Sequence, residues 1–280
     1  MRKIKYNVDI NTTNKIIKTI EQKGFCHLTN VFNIKKIKVI DRKLENNIKK
    51  IEKIIQTSPN TLPLCFADLE TKNFKCPITF SNFDSSWYRG KNKNFKKWFW
   101  KNADKTPNTI LNVLKKNKVI NLLKKYFKSE IINPYSISVL RYVKSSSNNG
   151  FANIHQDMTY FTRKLSDHNF LTVWVPLTNC NKHSPGIKIY QEKVNKIYKT
   201  SLKEKHRCIN RKIASSLQEN KFYKSEIKRG DLIIFKSMML HGTNSKKNMK
   251  KERRSAEFRF FPKTKLPTQL KKINDVKFKF

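Results

Sequence analysis

The chain is short of cysteine, of acidic residues and of long apolar runs, and each shortage closes off a class of protein. Its five cysteines, Cys26, Cys65, Cys76, Cys180 and Cys208, include no Cys-x-x-Cys pair and are odd in number. That argues against a disulfide framework and for free thiols in a reducing cytoplasm. Cys180 and His183 have the spacing of half a zinc site, and no second half accompanies them. No apolar segment follows the basic Met1-Arg2-Lys3 start, and no run approaches the roughly 18 apolar residues that a membrane span needs. The expectation is a soluble, cytoplasmic protein with no membrane span.

Acidic residues number 20 against 61 Lys and Arg, a formal net charge of +41. Such an imbalance invites a polyanion, nucleic acid or an acidic membrane surface. The kind of basic residue weighs against a dedicated nucleic-acid surface. Lys accounts for 50 and Arg for 11, Asn reaches 30, and the Lys residues are spread along the chain. That is the pattern of A/T-rich codons at permissive surface positions, whereas nucleic-acid surfaces cluster their charge and favour Arg. Nucleic acid is therefore not expected as the specific partner.

What is present reads as one domain of 280 residues, 38% hydrophobic and able to bury one large core. Ile16, Ile17 and Ile20 mark a first helix, with Thr12 or Thr13 as cap and Gly24 as stop. A strand over 25–31 follows. Asn33 can cap a second helix, whose stripe of Ile34, Ile37, Ile40, Leu44, Ile48, Ile51 and Ile54 packs on a sheet. Residues 57–105 are irregular, and the cluster Trp87, Tyr88, Phe95, Trp98, Phe99 and Trp100 suits a lid or the plug of a barrel. Two further helices span 107–128. Short strands from 131 to 264, broken by a Lys-rich surface excursion at 191–228, suggest a jelly-roll barrel. The organisation is thus a mostly helical part over 1–130, a barrel core over 131–264 and a basic tail over 265–280.

Three stretches inside the barrel carry chemistry. In Asn153-Ile154-His155-Gln156-Asp157, read as a strand, His155 and Asp157 share one face. Chance alone gives about 0.4 His-x-acid matches in such a chain, so the pair needs support. It comes from Gly230-Asp231 and the apolar run to Phe235, followed by His241-Gly242-Thr243. If both runs line one barrel, two imidazoles and a carboxylate meet, a set that leaves three open positions and suits non-heme Fe(II). In Arg253-Arg254-Ser255-Ala256-Glu257-Phe258-Arg259, alternation puts Arg253, Ser255, Glu257 and Arg259 on one face. Arg253, twelve positions beyond His241, has the planar fork that grips a carboxylate bidentately. A one-residue register change would hand the role to Arg254.

With these pieces in order the chain resembles the phytanoyl-CoA dioxygenase-like branch of the Fe(II)/2-oxoglutarate-dependent oxygenases. The matching pieces are His155-Gln156-Asp157 with Tyr160-Phe161, Leu171 to Leu177, Gly230-Asp231 through Phe235, His241-Gly242-Thr243 and Arg253-x-Ser255. Gly24 to Phe32 looks like the family's first strand. The resemblance implies a mainly β, double-stranded β-helix (jelly-roll or cupin-like) barrel with N-terminal helices packed on it. It implies Fe(II) on His155, Asp157 and His241, and 2-oxoglutarate as cosubstrate. The far carboxylate of 2-oxoglutarate would then meet Arg253 and Ser255, and Arg-x-Ser favours Arg253 over Arg254. Thr243 and Trp174 match positions that contact the cosubstrate. Tyr160, Arg259 and Arg141 are candidates for substrate binding, with core packing, an ion pair to Glu257 or another carboxylate, and a surface ion pair as the respective plain readings. The implied reaction consumes O2 and 2-oxoglutarate, releases succinate and CO2, and hydroxylates a small or carrier-linked substrate, anionic ones included. Related halogenases lack the carboxylate that Asp157 provides. Competing readings are a nucleic-acid-binding or nucleic-acid-modifying protein and a non-catalytic barrel that binds a sugar or partner.

Overall fold

The computed structural model describes residues 3–7, 9–57, 78–80, 105–134, 139–143, 152–160, 169–192, 194–200, 208–246, 248–266 and 277–279. Helix α1 (Ile10–Lys23) starts earlier than its threonines suggest. The Asp9 carboxylate, rather than Thr12 or Thr13, caps it by accepting from the Thr12 amide at 2.7 Å. Gly24 ends the helix at φ 79°, where a Cβ would also collide with Met239 Sδ. Strand β2 (Phe25–Thr29) follows at once, with β1 (Ile4–Lys5) parallel beside it. Asn33 then accepts from the Lys35 amide at 2.9 Å at the head of α2 (Ile34–Thr57). Helices α3 (Lys105–Lys116) and α4 (Val119–Phe127) are the expected pair.

The remaining strands are β3 (Ile78–Phe80), β4 (Ile131–Pro134), β5 (Val139–Val143), β6 (Leu171–Pro176) and β7 (Gly186–Tyr190). After a short helix α5 (Arg211–Ser216) come β8 (Phe222–Tyr223), β9 (Leu232–Lys236), β10 (His241–Asn244), β11 (Arg253–Pro262) and β12 (Lys277–Lys279). Among the described residues they make two sheets. The larger runs β1-β2-β9-β6-β11-β4-β12, with β5 and then β3 branching from β11, and the smaller runs β10-β7-β8.

Strand alternation sorts the side chains of the larger sheet into two cores. Cys26, Leu28, Leu232, Ile234, Val173, Val175, Ala256 and Phe258 face one way and pack with Ile16, Ile20, Ile37 and Ile40 of α1 and α2 and Leu114 and Leu123 of α3 and α4. Phe25, Ile233, Phe235 and Trp174 face the other way and meet Ile187, Ile189 and Tyr223 of the smaller sheet. The result is the expected mainly β architecture with helices on the outer face. On β11 the alternation has a further consequence. Its apolar set goes to the helices, so Arg253, Ser255, Glu257 and Arg259 all lie on the face turned to the other sheet, every one buried.

Two expectations about the periphery change. The segment 191–228 is more than a surface excursion: Cys208, Ile209, Phe222, Tyr223 and Ile227 are buried, and β8 is a strand of the smaller sheet. Lys content hid these scattered apolar residues. Past Pro262, Leu266 is buried and β12 pairs with β4 through Lys277 opposite Pro134, so the C-terminal stretch is not only a basic tail. The aromatic cluster from Trp87 to Trp100 lies outside the described residues. No described helix is long and apolar enough to cross a membrane.

Candidate metal centre

His155 and Asp157 reach one place by a different route from a shared strand face. His155 makes a single antiparallel bridge to His241, its amide donating to the His241 carbonyl at 2.9 Å and its carbonyl accepting from the His241 amide at 3.0 Å. The chain then leaves the extended conformation for a 3-10 turn over Asp157–Tyr160. Gln156 explains the departure. Its fully buried side chain donates to the carbonyls of Met238 at 2.9 Å and Lys196 at 3.1 Å and accepts from the Tyr198 amide at 2.9 Å. A buried amide satisfied on three sides anchors a loop and not a ladder.

The three side chains converge, with one ligand atom from each lying within 4.8 Å of the others and all three residues buried. The tautomer of each imidazole is set from behind. His155 Nδ1 lies 2.7 Å from the Asn153 carbonyl and His241 Nδ1 lies 2.9 Å from the Met239 carbonyl. A carbonyl only accepts, so both Nδ1 atoms carry the proton and both Nε2 atoms present lone pairs. Those Nε2 atoms stand 3.8 Å and 3.7 Å from Asp157 Oδ1, too far for hydrogen bonds. Lone pairs and a carboxylate gathered without protons between them fit a cation, and a nitrogen-nitrogen-oxygen set fits a borderline divalent ion such as Fe(II). Asp157 keeps its charge without that ion. Burial alone would push its pKa up, yet the Arg259 guanidinium beside it holds it well below the usual carboxylate range.

One cavity is lined by both imidazoles together with Trp174, Thr243, Arg253 and Glu257, and by Ala152, Ile187 and Gly242. Gly242 allows the close approach of β10 to the His155 segment, since a Cβ there would sit 3.0 Å from the Ala152 carbonyl. Arg253 donates from Nη1 to the Gly186 carbonyl at 2.6 Å and its guanidinium carbon lies 5.8 Å from the Trp174 ring centre. Ser255, fully buried on the same face, has a hydroxyl with no hydrogen-bond partner among the described residues. Ser255 shares its strand face with Arg253 two residues away, and a buried hydroxyl without a partner calls for an explanation such as a bound ligand. Thr243 Oγ1 accepts from the Ala152 amide at 3.1 Å.

Arg254 points the opposite way. It pairs with Asp41 of α2, with Glu252 and, at 3.7 Å, with Glu45, so geometry separates the two adjacent arginines. Arg259 meets a carboxylate other than Glu257 first: its Nη2 lies 2.8 Å from Asp157 Oδ1 and 3.5 Å from Glu257 Oε2. Held there, it braces the centre. Tyr160 closes the 3-10 turn and Arg141 stands on β5 opposite Ser255; their side chains lie outside the described residues. Sequence reasoning missed Gln156 and Thr172 as parts of the site, and it took Glu257 only as an ion-pair partner.

The family model for phytanoyl-CoA dioxygenase matches residues 20–255. The chain belongs to the phytanoyl-CoA dioxygenase family. Three solved structures are similar to this family member in fold. EctD from S. alaskensis, solved with 2-oxoglutarate and 5-hydroxyectoine, is 12% identical, with 94% of this chain and 80% of EctD covered at a TM-score of 0.58. The non-heme alpha-ketoglutarate-dependent epimerase SnoN from nogalamycin biosynthesis is 8% identical, with 91% and 82% covered at 0.54. The carbocyclase SnoK from the same biosynthesis is 9% identical, with 88% and 82% covered at 0.54. No curated protein matches the chain in sequence. The phytanoyl-CoA dioxygenase match ends at Ser255, so it takes in the three converging residues and Arg253 but stops short of Arg259.

Proposed function

We propose that this protein is an Fe(II)/2-oxoglutarate-dependent oxygenase that hydroxylates a small or carrier-linked organic substrate. The observation that carries the reading is the convergence of His155, Asp157 and His241, with both imidazoles lining a cavity that Arg253 also lines. Bound there, a ferrous ion and 2-oxoglutarate supply oxygen activation coupled to decarboxylation, with succinate and CO2 as products. The chain's own share is positioning. Asn153 and Met239 carbonyls aim the two Nε2 lone pairs, and Arg253 with Ser255 offers a cation and a hydroxyl for a distant carboxylate. Asp157 supports hydroxylation over halogenation, because a protein carboxylate fills the ligand position a halide would need.

Anaerobic addition of Fe(II) and then 2-oxoglutarate is expected to give a visible charge-transfer band, and His155→Ala is expected to abolish it. In air the wild type should form succinate only when iron is present. Absence of both signals in the wild type removes the oxygenase reading and leaves a barrel that binds without catalysis.

A further inference from the structure

Asp157 is gripped from behind by two residues that the reading above leaves unused. Arg259 Nη2 donates to Oδ1 at 2.8 Å, Arg259 Nε donates to Oδ2 at 3.1 Å, and the Thr172 hydroxyl donates to Oδ2 at 2.6 Å. Thr172 and Arg259 are direct cross-strand partners on β6 and β11, the middle of the larger sheet. The grip therefore rests on rigid backbone, while the carboxylate itself sits on a 3-10 turn. Thr172 is fully buried and Arg259 is 5% exposed, so this is no screened surface ion pair. Oδ2 has two donors; Oδ1 has one and turns its other side to the imidazoles.

We infer that Arg259 and Thr172 are positioning residues that preset Asp157 as a single-oxygen metal ligand through Oδ1. With Oδ2 tied back, the carboxylate is prevented from rotating to give both oxygens to one ion, which keeps a coordination position open. The bidentate salt bridge also neutralises the carboxylate before the metal arrives, so the ion's charge stays available to an anion in the cavity. The sheets are joined by the arrangement: the imidazole of His241 comes from the smaller sheet and the clamp from the larger.

The inference rests on the metal site proposed above, and the test separates the two. Co(II) serves as the probe, with affinity measured by titration and geometry by its visible absorption, both without turnover. Thr172→Val keeps the buried volume and removes one donor; Arg259→Lys keeps the charge and removes the fork. Both are expected to weaken Co(II) binding by about 10–100-fold, the usual cost of losing a partner behind a ligand, and to alter the Co(II) spectrum. Arg254→Lys, a buried arginine on the same strand that faces away from the cavity, is expected to leave affinity and spectrum as in the wild type. If Arg259→Lys does not fold, Thr172→Val decides. Wild-type affinity and spectrum in Thr172→Val and Arg259→Lys overturn the clamp, as does an equal effect in Arg254→Lys. Failure of the wild type to bind Co(II) instead overturns the metal site itself.

Discussion

At position 253 charge is only part of what the side chain supplies. Arg253 is held by its 2.6 Å bond to the Gly186 carbonyl and stands over the Trp174 ring. Lysine would keep the charge but lose the fork and the stacking plane. Arg253→Lys is expected to raise the 2-oxoglutarate concentration needed for half-saturation by at least about tenfold, the loss of one charged hydrogen bond of roughly 1.5–3 kcal/mol. Metal affinity should not move. Titrating 2-oxoglutarate into the iron-loaded protein checks this, and an unchanged affinity would mean the anchor lies elsewhere. In the sequence only the Arg-x-Ser resemblance favoured Arg253 over Arg254, because strand alternation puts the two on opposite faces without saying which face looks inward. Thr172 could not be found that way, since its tie to Asp157 exists only once β6 and β11 pair in their particular register.

Elements show the same division between local and non-local information. The helix stripes and caps around Gly24 and Asn33 were readable because periodicity and capping act within a few residues. The 3-10 turn at Asp157 was not, since it depends on Gln156 finding three partners up to 82 positions away. How α2 docks is a further non-local fact. Asp41, 4% exposed, accepts from Arg254 Nη2 at 3.2 Å and Arg229 Nη2 at 2.7 Å, and so ties the helix to β11 and to the turn before β9. Asp41→Ala strips a shared carboxylate from two guanidinium groups, one of them buried. Breaking a buried pair from one side typically costs about 3–5 kcal/mol, and Arg229's partial exposure puts this case at the lower end. Urea unfolding measures it; a cost below about 1 kcal/mol would show that α2 is held by its apolar stripe alone.

Across the whole molecule the shortage of carboxylates makes acid stability the sensitive axis. Asp231 sits between the sheets' shared core and the β2–β9 pairing, accepting from the amides of Lys228 at 2.9 Å and Asn30 at 3.2 Å and from His27 Nε2 at 3.1 Å. His27 in turn meets the Tyr223 hydroxyl at 2.6 Å, so this chain crosses from the larger sheet to the smaller. Burial alone would push the Asp231 pKa up, yet those three donors hold it below its ordinary 3.8. A folded-state pKa depressed in this way contributes stability that is complete above the ordinary value and is lost as pH falls through the folded one. Protonation also drives the formal charge from +41 towards +67, set by the 61 Lys and Arg and the six His, and self-repulsion adds to the loss. Salt separates the two causes, because it screens dispersed surface charge far more than a buried pair. In low salt Asp231→Asn is expected to be less stable than the wild type at neutral pH, with the gap closing below about pH 4. Added salt should move both acid transitions to lower pH and leave the closing of that gap in place. A gap that stays constant from neutral to acid pH would show that Asp231 contributes shape and not charge to the joint between the sheets.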